Sequence, residues 1–125
     1  MLQTEITKQN LRTMVITFYT KVLEDKIVGP FFIERLGDDL MNSTWAPHLD
    51  LLTDFWASFT IGDTNYRGNP FGPHVDMKGL TRETFQQWLR LFFTTLDEVY
   101  EPHVGEQLKQ RSNIIASNFM RNLGL

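Results

Sequence analysis

The sequence predicts an all-α fold, and three observations predict it. Apolar residues recur at steps of three and four in four separate blocks, the period of a helix with one buried face. No stretch alternates apolar and polar residues as a half-buried strand must. No Asn-Gly or Asp-Gly pair offers a tight hairpin turn. With 125 residues the chain reads as one domain, 1–125, long enough to bury a real core.

The first block, Leu11, Met14, Val15, Phe18 and Val22, makes one apolar face of a helix ending near Glu24. Gly29-Pro30 breaks it, and Pro30 opens a short helix that carries Phe31, Phe32 and Leu36 to Gly37. The next long helix starts at the capping cluster Asn42-Ser43-Thr44 and tolerates Pro47 in its first turn. Along it His48, Leu52, Phe55 and Phe59 fall on one face, and Gly62 ends it. Residues 62–73, GDTNYRGNPFGP, read as a long loop leading to His74 and a short segment to Gly79. A helix from Thr81 to about Tyr100 presents Phe85, Trp88, Leu89, Phe92, Leu96 and Val99. Pro102 starts the last helix, marked by Leu108, Ile115, Phe119 and Leu123.

Composition excludes several functions. Twelve Lys and Arg against fifteen Asp and Glu leave a net charge of −3, with no broad basic footprint for nucleic acid or an anionic membrane. The absence of cysteine excludes a disulfide framework, a thiolate metal site and cysteine catalysis. The polar start, MLQTEITKQN, lacks the apolar core of a signal peptide, and no apolar run reaches a membrane span. The expectation is a soluble cytoplasmic protein. Aromatic residues reach 13%, which serves either a core of large side chains or a pocket for a flat apolar ligand.

The candidates for chemistry are few. His48 lies on an apolar helix face, as a core histidine or as a group aimed into a pocket. His74 follows the rigid Gly72-Pro73 pair at a loop end, where side chains are presented to ligands, although a plain exposed histidine fits that place too. His103 begins a helix and is expected in solvent. A di-iron bundle site needs Glu-x-x-His motifs, which the chain lacks, and Asp50 and Asp54 lie on the solvated side of their helix. Tyr19 and Trp88 stand on inward positions of two further helices, and each wants a partner for its O–H or N–H. An inward His, Tyr and Trp from three helices suit an apolar cofactor with polar donors on one side and a ligand on the other.

At this point the sequence resembles the truncated haemoglobins of the third group, over essentially its whole length. The residues that carry the resemblance are Phe18-Tyr19 in TFYTKV, Pro30-Phe31-Phe32 in GPFF, and Trp45-Ala-Pro-His48. Asp54-Phe55-Trp56, Tyr66-Arg-Gly-Asn-Pro leading to His74, and Trp88-Leu-Arg-Leu-Phe complete it. Each motif is short; their order and spacing are specific. The resemblance implies a 2-on-2 helical sandwich around haem b, with His74 as the ligand of the iron. It makes His48, Tyr19 and Trp88 the ligand-binding side. Phe32 matches the phenylalanine on the porphyrin face, Phe18 and Leu52 are further expected cofactor contacts, and Tyr66 and Arg67 are candidate propionate partners. Gly-Gly pairs, usual in the other groups, are absent here, and Gly72-Pro73 before His74 departs from the pattern.

The implied ligands are oxygen, nitric oxide, carbon monoxide or peroxide. Hydrogen bonds to a charged partner contribute about 1.5–3 kcal/mol each, so direct donation by both Tyr19 and Trp88 would hold oxygen too firmly for a carrier. The expectation is therefore redox chemistry, as a nitric-oxide dioxygenase or a peroxidase-like protein. No flavin or nicotinamide motif is present, so electrons must come from a separate reductase or donor protein. Two alternatives are a cofactor-free helical interaction module, which would be colourless, and a haem-based sensor acting through a separate partner.

Overall fold

The long helices begin where side chains replace missing backbone partners. In the computed structural model, which describes residues 1–66 and 78–125, α1 spans Lys8–Glu24 and α2 Gly29–Leu36. Helix α3 spans Trp45–Thr60, α4 Arg82–Val99 and α5 Pro102–Asn122. Reciprocal capping boxes start two of them: Thr7 with Asn10 for α1, and Thr81 with Thr84 for α4. At α3 the predicted cluster works through a single side chain, since Asn42 Oδ1 accepts from both the Thr44 and Trp45 backbone N–H groups. Pro102 occupies the first turn of α5, where its missing N–H costs nothing.

The α1 stripe read from the sequence is the centre of the core: Leu11, Met14, Val15, Phe18 and Val22 are all 1% exposed or less. Helix α1 packs on α2, α3 and α4, and α4 packs on α5. The result is two helix pairs, α1 with α3 and α4 with α5, laid one on the other. Across the join, Trp56 of α3 stacks on Phe92 of α4 at 4.9 Å, and Phe92 stacks on Trp88 at 5.2 Å. A smaller cluster of Phe85, Ala116 and Phe119 fastens α4 to α5. Among the described residues there is no strand; one isolated bridge pairs Gln3 with Tyr100.

Two details position the site. Gly29 starts α2 so close to the end of α1 that a Cβ there would lie 2.6 Å from the Val22 carbonyl oxygen. This approach brings Phe32 over Tyr19, with ring centroids 5.2 Å apart. Helix α3 is turned from the orientation expected. Its most buried side carries Trp45, Leu49, Thr53, Phe55, Trp56 and Ala57, whereas His48 and Leu52 are half-buried and Phe59 is 40% exposed, beneath the Arg111 guanidinium. The helix is apolar on two adjoining sides, and α1 took the side with the larger indoles.

Candidate functional site

The two helix pairs bring the predicted donor residues together. Tyr19, on α1, is 5% exposed and surrounded by rings from four other positions. Phe18 lies at 4.7 Å, Phe32 at 5.2 Å, Trp45 at 5.5 Å and His48 at 6.2 Å, mostly edge to face. Edge-to-face contacts place the positive ring edge on the negative face, so the geometry is favoured as well as tight. Trp88, from α4, is half-buried, and its interaction with the Tyr19 hydroxyl favours the ionised form of that hydroxyl. A neutral tyrosine hydroxyl has one proton to give.

The sequence treats Tyr19 and Trp88 as two parallel donors, whereas here Trp88 acts on the Tyr19 hydroxyl. Burial pushes the Tyr19 hydroxyl well above the usual tyrosine range, and the Trp88 hydrogen bond pulls it part of the way back. The Tyr19 hydroxyl is therefore neutral at physiological pH.

The remaining predicted residues take varied places. His48 is half-buried beside Tyr19 and Trp45, with its Nε2 buried. Phe32 and Leu52 are half-buried and pack against the core. Phe18 is 1% exposed and backs the donor pair, touching Tyr19, Trp88 and Phe92. Tyr66 packs on Phe55 at 5.2 Å, and partial burial raises its hydroxyl pKa. Arg67 and His74 lie outside the described residues. His103 is exposed, as expected, and Asp50 and Asp54 face outward to pair with Arg12 and Lys8 of α1.

Two features of the site are given no role from sequence, the first of them a residue of the Trp45-Ala-Pro-His48 motif. Trp45 is completely buried and touches Tyr19, Phe32 and His48. Its spacing of three before His48 on one helix is the signal that could have found it. The second is a clasp between α4 and the α1–α2 corner. Asp25 Oδ2 accepts from the Ile27 and Val28 N–H groups, and its Oδ1 accepts from the Gln87 amide at 2.8 Å, next to Trp88. Burial opposes ionisation of Asp25, but the bonds from Val28, Gln87 and Ile27, with Arg90 nearby, hold its pKa below the usual carboxylate value. Nothing in the local sequence pattern announces this pairing across 62 positions.

No family model matches the chain. Among curated proteins it is 32% identical over 118 residues to a group 3 truncated hemoglobin of Campylobacter jejuni, covering 94% of this chain and 91% of that relative. Among solved structures it matches the crystal structure of the group III truncated hemoglobin from Campylobacter jejuni with a TM-score of 0.91. That match, at 32% identity, covers 98% of this chain and 95% of the other. The all-helical, two-over-two arrangement is the fold of that structure.

Proposed function

The chain belongs to the group III truncated haemoglobins, and on that footing we propose that it binds haem b and performs redox chemistry on small ligands rather than oxygen transport. The residues present fit such a group. Half-buried apolar side chains at Phe32, Leu52 and Trp88 border a cluster whose polar atoms, the Tyr19 hydroxyl and the His48 ring nitrogens, come from two different helices. A flat apolar cofactor needs that combination: apolar contact over its face and a few convergent polar groups. His74 would hold the iron through one ring nitrogen, its other N–H requiring an acceptor. Tyr66 and Arg67 would meet the propionates, and Phe18 would support the donors from behind.

Haem, when bound, supplies an iron that takes up diatomic ligands or peroxide and exchanges electrons. The protein's part is directional. Tyr19 donates its proton toward the ligand, Trp88 holds and polarises the Tyr19 oxygen, and His48 can take or return a proton at Nε2. Phe32, Trp45 and Phe18 exclude water from these atoms, which strengthens each hydrogen bond. A strong, buried donor slows ligand release, a disadvantage in a carrier. The burial of the Tyr19 ring among Phe18, Phe32, Trp45 and His48 is the observation that carries this reading. In the dioxygenase reading, nitric oxide, dioxygen and one electron give nitrate. In the peroxidase reading, peroxide with two electrons and two protons gives water. Both require an electron donor protein. Among the described residues no helix is long and apolar enough to cross a membrane, and a cytoplasmic location is part of the proposal.

The test is a visible absorption spectrum of the chain with hemin, before and after dithionite and carbon monoxide. The expected result is a strong Soret band that shifts on reduction and again with carbon monoxide. His74→Ala should lose most of its haem and recover part of it with imidazole. A colourless protein after hemin addition would overturn the reading in favour of a helical interaction module. Turnover with nitric oxide or peroxide then separates the two redox reactions.

A further inference from the structure

We propose that Trp45 is a positioning residue of the ligand side, a tryptophan held at both its backbone and its indole N–H that sets how His48 stands against Tyr19. The inference rests on the haem reading above and adds to it a residue outside the expected donor set.

The anchor of Trp45 lies in the turn between α2 and α3. Gly37 closes α2 with φ of 87°, a conformation that favours glycine, and a Cβ there would meet Asn42 Nδ2 at 2.8 Å. The close approach lets Asn42 knit the turn together. Its Nδ2 donates to the Leu36 carbonyl at 3.0 Å, and its Oδ1 accepts from the Thr44 and Trp45 backbone N–H groups at 2.9 and 2.8 Å. The Trp45 indole N–H reaches back to the Gly37 carbonyl at 2.8 Å. Both N–H groups of one residue are thus tied to a turn that is itself cross-linked.

The ring so fixed is a wall with three occupied sides. It lies 23° from parallel to Phe32, 5.5 Å from Tyr19, and 5.4 Å from His48 at 73°. Trp45 and His48 are three positions apart on α3, so their side chains share one helix face. A residue needed only for volume would serve as Leu or Phe. The indole adds a direction: turning it takes the hydrogen bond from the half-buried Gly37 carbonyl, and leaving it in place confines the His48 ring toward Tyr19.

The experiment uses the full chain loaded with haem, as its carbon monoxide adduct, and reads the C–O stretching band, which reports the polarity beside the ligand. Wild type is compared with Trp45→Phe, with Asn42→Ala, and with Phe119→Leu, a core substitution in the separate α4–α5 cluster. Trp45→Phe is expected to shift or split the band and to speed oxygen release by about threefold or more, the loss of one ordinary hydrogen bond's worth of order. Asn42→Ala, which keeps the indole, should change the band in the same sense by less, and it decides the matter if Trp45→Phe does not fold. Phe119→Leu should lower stability and leave the band alone. A band that Trp45→Phe and Asn42→Ala leave as Phe119→Leu does would overturn the proposal while the haem reading stands. A wild-type chain that takes up no hemin would overturn both.

Discussion

Two tyrosines are buried where α1 meets α4, one toward each end of the contact, and their hydroxyls have different surroundings. Tyr100, 1% exposed, donates its proton to Asn10 Oδ1 at 2.7 Å. Asn10 Oδ1 also accepts the Thr7 N–H, so Tyr100 is tied into the N-cap of α1. Tyr19, 5% exposed, instead sits among Phe18, Phe32, Trp45 and His48, with Trp88 acting on its hydroxyl. Burial raises both hydroxyls above the ordinary tyrosine range, so neither ionises at neutral pH. Residue type, burial and protonation state are alike. The surroundings of the hydroxyl separate a structural pin from a candidate donor.

The comparison makes opposite predictions for one chemical change. Tyr19→Phe should speed oxygen release from the haem-loaded protein by about ten- to hundredfold, the loss of a hydrogen bond to a charged partner. Its effect on stability should be small, because the Trp88 N–H is only half-buried and can turn to water. Tyr100→Phe should leave oxygen release unchanged and lower unfolding free energy by roughly 1–2 kcal/mol in denaturant titration, since the Asn10 oxygen loses a buried partner. If both variants altered both quantities, the distinction would fail.

Smaller effects sharpen it. Gly29→Ala should destabilise by roughly 1–3 kcal/mol, because the new methyl drives α2 away from the Val22 carbonyl. That movement carries Phe32 off Tyr19 but leaves Tyr100 untouched, so stopped-flow ligand release should change along with the melting temperature. Asp25→Asn acts through the clasp to Gln87. Because the folded-state pKa of Asp25 lies below its unfolded value, its contribution is present above about pH 4 and is lost as pH falls further. The variant should therefore lose under about 1.5 kcal/mol at neutral pH and show a flatter stability profile in acid. At the alkaline end the signs reverse: both tyrosine pKa values are raised, so phenolate absorbance from Tyr19 and Tyr100 should appear only as the protein unfolds.

How much of this was legible in the sequence differs from element to element. The α1 stripe was fully readable, since its five apolar positions leave one solution for a helix face. The Gly29-Pro30 start of α2 and its end at Gly37 were equally plain. Helix α3 was placed correctly and rotated wrongly, because Leu49, Leu52, Phe55, Trp56 and Phe59 give it two apolar sides and periodicity cannot choose between them. Tyr19, His48 and Trp88 were each legible as inward polar groups. The coupling of Trp88 to Tyr19 was not, because a contact between α1 and α4 depends on the crossing of two helices. The Asp25–Gln87 clasp and the Trp45 anchor failed to show for the same reason: both join residues through tertiary geometry that local pattern does not encode.

The most direct test of the donor assignment is a double-mutant cycle on oxygen dissociation, using haem-loaded wild type, Tyr19→Phe, Trp88→Phe and the double variant. If Trp88 acts through Tyr19, Trp88→Phe alone speeds release by about threefold, and adding it to Tyr19→Phe changes the rate no further. Independent effects that multiply in the double variant would contradict the account and return Trp88 to the role of a second, direct donor.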